Sequence, residues 1–280
     1  IQDLVRRLPP VELPMDPLRT EAWIPLEWRC ATREVLIQLR TRVAGIRPPT
    51  PANYLVPETT HERAAIQSAG RVTAPWREKL GMSIPIRITK DLLPMGISVR
   101  NETEPLIVLN GSFIELPEAE RVFRLAHAAT TIATGMALLD DSYPGVLNDL
   151  IEALVGLVKP RHQVLSEGAR AILEGLASAG MTGAKLPAHL REALTRELGH
   201  WFNKTAQLEH VIRRSRLLLA TYLCGRLDGA LTAMARDRGL IVDGDPPDGT
   251  TVLDTDDARW LLLSMGVFGL GFDPAAGQVI

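Results

Sequence analysis

The sequence is short of the features that usually announce a function. Its two cysteines, Cys30 and Cys224, stand far apart with no C-x-x-C spacing, which argues against a disulfide framework and a zinc knuckle and makes a reducing, cytoplasmic setting the expectation. Neither sign of charge dominates. The 31 basic and 33 acidic residues leave a net charge of -2, with no run that would track a phosphate backbone, so nucleic acid is not an expected partner. No stretch approaches the roughly 18 uncharged apolar residues of a membrane span. "LLLSMGVFGLGF", residues 261 to 272, comes nearest and reads as a buried C-terminal element. The nucleotide and hydrolase signatures G-x-x-x-x-G-K-[ST], G-x-G-x-x-G after a strand, and G-x-S-x-G are missing. So is any repeat of fixed period.

What is present is enough for one large domain or two small ones in 280 residues. The start at Ile1, with no apolar leader, suggests a processed piece of a longer chain. Residues 18 to 46 carry apolar positions three and four apart and read as helical. "RPPTPANYLVPETT" then places four prolines in a short span and marks the best boundary. Residues 1–59 are therefore expected to be a helical segment and linker, and residues 60–280 the main domain. A helix over "HERAAIQSAGRVTAPWREKLG" is expected next, kinked at Pro75.

After Gly81 the period becomes two. Ile84, Ile86 and Ile88 share one face, as do Ile97 and Val99, and "PLIVLN" is a short continuous apolar run. About three strands are expected there. Helices are expected over residues 117–139, 144–158, 163–180, 187 to about 223, and 226–238. The fold class is thus α+β, a mainly helical body with a small sheet.

The chemistry-bearing stretch is "ERVFRLAHAATTIATG", residues 120 to 135. Helical spacing aligns Val122, Leu125, Ala126, Ala129, Ile132, Ala133 and Met136 as an apolar stripe, with His127 and Thr131 one turn apart beside it. Histidines at i and i+4 can chelate one zinc, and a glutamate at i+1 can activate the metal-bound water. Here Thr131 has no imidazole and Ala128 no carboxylate.

"EPLIVLNGSFIELPEAERVFRLAHAATTIATG" resembles the segment of gluzincin metallopeptidases, the group of the CAAX prenyl proteases and heat-shock membrane proteases, in which a strand and turn lead into an H-E-x-x-H helix. Leu106 to Asn110 match the strand, Gly111, Phe113, Ile114 and Leu116 the turn, and Glu120, Val122, Leu125, Ala126 and His127 the run into the metal helix. "RRSRLLLATYLCGRLDGAL" resembles the later helix of degenerate bacterial relatives. Matched on Cys224, Gly225, Leu227, Ala230 and Leu231, the third ligand position falls on Arg213, and a guanidinium cannot ligate zinc.

The resemblance covers roughly residues 60 to 240. It implies a zincin-like body whose zinc chemistry is lost at Ala128, Thr131 and Arg213. The implied function is a non-catalytic pseudopeptidase, with no cofactor, serving as a protein-interaction or scaffold domain in a larger bacterial protein of the tetratricopeptide-repeat kind. It also implies that Leu106, Ile107, Val108, Leu109 and Asn110 form the sheet edge along which a peptide lies. The alternative is a metal-dependent hydrolase whose site has moved to His127, Glu209 and His210. The other histidines, His61, His162, His189 and His200, show no chelating spacing.

Overall fold

Helix α1, Thr60–Leu80, begins at a reciprocal cap. Thr59 accepts from the Glu62 backbone N–H at 3.1 Å, and the Glu62 carboxylate accepts from the Thr59 N–H at 2.9 Å. The backbone N–H groups of Thr59 and Glu58, both donating to it, hold the Glu62 carboxyl below its ordinary value. The helix runs uninterrupted through Pro75 and stops at Gly81, which adopts the left-handed conformation at φ 60. This computed structural model describes residues 54–102, 104–140, 145–159, 165–178, 180–201 and 204–239, with residues 32, 256–258, 261, 272–273 and 278–279. Apart from residues 32 and 54–59, the N-terminal helical segment and linker read from the sequence lie outside the described residues, and so does most of residues 261 to 272.

A four-stranded sheet follows in the order β1-β2-β4-β3. β1 is Tyr54–Leu55, β2 Ile86–Thr89, β3 Ile97–Arg100 and β4 Leu106–Leu109. β2 and β4 are parallel, with Ile86 opposite Ile107, while β3 runs antiparallel to β4 with Val99 opposite Ile107. β1 adds a strand to the three expected. Its two residues pair with Thr89 and Ile88, too short a match to leave a period in the sequence, and they fall in the stretch read there as linker.

The helical body comprises α2 Glu118–Ala133, α3 Ala137–Asp140, α4 Val146–Val158, α5 Glu167–Ser178, α6 Ala188–Trp201, α7 Thr205–Cys224 and α8 Leu227–Asp237. Two expected helices are each broken in two. The one over 117–139 ends where Gly135 turns to φ 75. The one over 187–223 restarts at α7 because Lys204 leaves the helical region at φ -135, ψ 24. A two-stranded ribbon, β5 Phe272–Asp273 with β6 Gln278–Val279, lies near the C-terminus.

The chain is α+β, mostly helical with a small mixed sheet. Its apolar residues form two clusters. The first joins the sheet and α1 to α2, α8 and the second half of α7 (Leu217 to Leu223), and it includes Ala258 and Leu261. The second joins α4, α5 and α6 to the first half of α7 through Leu208 and Ile212. α7 therefore runs through both cores and fixes α2 relative to the rest. Among the described residues, no helix is long and apolar enough to cross a membrane.

Candidate functional site

α2 starts after Pro117 with Glu118 and Glu120 in its first turn, where negative charge suits the positive end of the helix dipole. Its apolar stripe packs inward: Leu125, Ala126 and Ala129 are fully buried. That leaves His127 half-buried on the wall of a cavity of about 280 Å³. Ile97, Ser98 and Val99 of β3, Leu217 of α7, and Met234 and Asp237 of α8 line it as well. The Phe123 ring lies 6.2 Å from the imidazole, tilted by 39°. The lining is apolar apart from the imidazole, Ser98 and the ion pair of Arg124 with Asp237.

Ala128 lines the same cavity but offers only a methyl group. Thr131 does not reach it. Thr131 is fully buried, and its hydroxyl donates to the His127 carbonyl at 2.8 Å, the back-bonding habit of threonine within helices. Arg213 points elsewhere, with its Nη2 3.0 Å from Asp257 Oδ2 and 3.1 Å from His210 Nδ1. Of the four positions taken from the metallopeptidase resemblance, only His127 and Ala128 share a cavity.

The relocated metal site is not assembled either. Glu209 and His210 line a second cavity, of about 530 Å³, together with Arg213, Arg216 and the start of α4, and His127 is not part of it. Among the described residues, no three of His, Cys, Asp and Glu come together as metal ligands.

The docking edge read at Leu106 to Asn110 is corrected by the topology. β4 is paired on both sides, with β2 and with β3, and all four of its residues are buried. Asn110 is spent on local structure: its Nδ2 donates to Asp91 O at 3.2 Å and its Oδ1 accepts from the Ser112 N–H at 3.1 Å. Among the described residues, the strand that ends the sheet beside His127 is β3. The Asn110 N–H donates to Gly96 O at 3.0 Å. Antiparallel alternation then turns Ser98 and Arg100 toward β4 and Val99 away from it.

Sequence reasoning passed over a buried ion cluster beside this cavity. Glu120 is fully buried and accepts from Arg124 Nε at 2.9 Å and from Arg236 Nε at 3.1 Å. Arg124 continues to Asp237 at 2.8 Å. The signal was the i, i+4 spacing of Glu120 and Arg124. Cys224 is no candidate nucleophile, because burial pushes its thiol up to about 12.

No protein family, curated protein or solved structure matches the chain. The metallopeptidase resemblance therefore rests on the residues quoted for it and on nothing wider.

Proposed function

We propose that the chain is a non-catalytic, pseudopeptidase-like domain that binds or scaffolds another protein, acting in the cytoplasm within a larger bacterial protein or assembly. The observation that carries the reading is the surrounding of His127. The helix that resembles a zinc helix offers one imidazole to a small apolar cavity beside a terminal strand, and the residues at the other ligand positions face away or lack a donor. A zinc site needs three or four protein ligands. A terminal strand flanked by an apolar cavity suits an extended peptide, whose backbone would pair with β3 and whose side chain would enter the cavity. No observation favours the relocated hydrolase site.

Zinc titration tests the non-catalytic half. The purified protein is expected to take up no stoichiometric zinc, and Ala128→Glu with Thr131→His and Arg213→Glu is expected to take up none either. An imidazole at residue 131 would have to enter a packed core at a cost of about 1–3 kcal/mol. Stoichiometric zinc in the wild type that is lost in His127→Ala would sink the reading.

Amide hydrogen exchange tests the docking half. The Val99 N–H is expected to exchange much faster than those of Ser98 and Arg100, which face β4. Equal, slow exchange at all three in the isolated chain means that the side of β3 is already covered, and peptide pairing there is then abandoned.

A further inference from the structure

Among the described residues, Met95 is the one non-glycine residue with a left-handed backbone, at φ 53 and ψ 26. A Cβ at such a position crowds the following carbonyl, which is why glycine or asparagine usually stands there. The surrounding fold dictates the conformation. Gly96 follows at φ 71, its N–H donating to Leu93 O at 3.1 Å and its carbonyl accepting from the Asn110 N–H at 3.0 Å. A Cβ on Gly96 would lie 2.5 Å from the Phe113 backbone nitrogen, so the turn is pinned against β4 and the segment that follows it. Nothing in that packing requires a methionine at residue 95. A strained residue kept in place points to a use for its side chain, and Met95 lines the His127 cavity.

The rest of the lining says what the side chain is for. Met95 and Met234 contribute two thioethers beside the buried Phe123 ring, and sulfur with an aromatic wall suits an aromatic guest. Size narrows the choice. An apolar cavity of roughly 150 Å³ holds one benzene ring, and this one, at about 280 Å³, has room for two fused rings. Polarity narrows it again. Arg124 donates to Glu120, to Ala233 O and to Asp237 Oδ1, whereas Asp237 Oδ2 has no partner among the described residues. The cavity thus offers a free acceptor, and the indole N–H is a donor only. Leu92, in the same loop as Met95, is 97% exposed and gives the residues flanking an inserted side chain an apolar surface to rest on.

We propose that the His127 cavity is an indole pocket, shaped by Met95, that takes one tryptophan side chain of an extended peptide and receives its N–H on Asp237. The proposal rests on the reading of β3 as a peptide-pairing strand and adds the side chain that the peptide must carry. Leucine would leave space unfilled, phenylalanine would leave Asp237 Oδ2 without a donor, and lysine would bring an ammonium beside the Arg124 guanidinium. Met95 is then a specificity-determining residue whose backbone strain is the cost of placing its thioether in the wall.

Fluorine NMR of 5-fluoroindole with the whole chain tests the pocket without any peptide. Binding is expected, and about tenfold weaker binding for 1-methyl-5-fluoroindole, which lacks the donor. Met95→Asn is expected to weaken 5-fluoroindole about fivefold while raising the urea midpoint, because asparagine tolerates the left-handed backbone. A methionine with a merely structural role would not move binding and stability in opposite directions. No binding of 5-fluoroindole, equal binding of its N-methyl form, or unchanged binding in Met95→Asn overturns the proposal. Should Met95→Asn fail to fold, Asp237→Ala, at a half-exposed position, supplies the readout: loss of the preference for 5-fluoroindole over its N-methyl form supports the pocket, and a retained preference overturns it. Two threonine-rich peptides, with Trp or Ala at the centre, then separate this proposal from the reading beneath it. The Trp peptide is expected to slow exchange of the Val99 N–H and the Ala peptide to leave it unchanged. Equal slowing by both overturns the indole pocket and leaves strand pairing standing, whereas donor-dependent binding of 5-fluoroindole with no slowing by either peptide supports the pocket and sinks the β3 reading.

Discussion

Glu120→Ala is expected to destabilise the chain by about 3–5 kcal/mol, read as a lower urea midpoint at unchanged slope. The carboxylate is fully buried and accepts from Arg124 and Arg236. Its removal takes a shared buried acceptor from two guanidinium groups that are themselves mostly out of water, with side chains 11% and 13% exposed, while Arg124 keeps its contact with Asp237. Loss of that acceptor is the larger effect, because Coulombic attraction inside a protein does little more than offset the loss of hydration when a pair is buried. A second variant separates the two. Replacing Glu120, Arg124 and Arg236 together by apolar residues of similar size is expected to cost far less than Glu120→Ala alone. A triple variant as damaged as the single one would show that the cluster supplies net stability.

How much of this molecule was legible in the sequence depended on which signal was followed. The period of two at Ile84–Ile88 and Ile97–Val99 located β2 and β3, and the long apolar period located the helices to within a few residues at most ends. The continuous run Leu106 to Leu109 carried its own message. A strand without alternation is one whose residues are all buried, and that belongs in the middle of a sheet. The metallopeptidase resemblance placed it at the edge instead, and the pairing of β4 with both β2 and β3 decides for the pattern.

The site was less legible, for a different physical reason. Helical spacing fixes which residues share a face but not what is packed over that face. His127 and Thr131 are one turn apart, yet one lines a cavity and the other is sealed beneath neighbouring elements. Arg213 and Glu120 each have a partner from far along the chain, 44 and 116 residues away, and no local pattern reports contacts of that range. The break before α7 was hidden too, because the apolar period continues across Lys204 even though its backbone does not.

Gly229→Ala is expected to be about as damaging as the loss of Glu120, although it adds a single carbon. α8 crosses α2 so closely that a Cβ at Gly229 would lie 2.1 Å from the Ala119 carbonyl oxygen and 2.7 Å from its carbon. Both atoms are backbone, so no rotamer change relieves the overlap; one helix must move. Movement there also disturbs the Arg236–Glu120 contact and the packing of Ala230 and Ala233, which are buried in the same core. Overpacking of this kind costs about 3 kcal/mol, and because Gly229 and Glu120 share one interface their combined effect should be less than additive. Two other glycines provide the contrast. Gly225 has open space around it but sits at φ 63, so Gly225→Ala should cost about 1 kcal/mol through backbone strain alone. Gly70 lies inside α1 with nothing within 4 Å of the added carbon, and Gly70→Ala should stabilise by about 0.5–1 kcal/mol through helix propensity. Urea unfolding of the three variants is expected to rank them in that order, and a Gly229→Ala protein within about 0.5 kcal/mol of wild type would mean that the contact between α2 and α8 does not limit what Gly229 can carry.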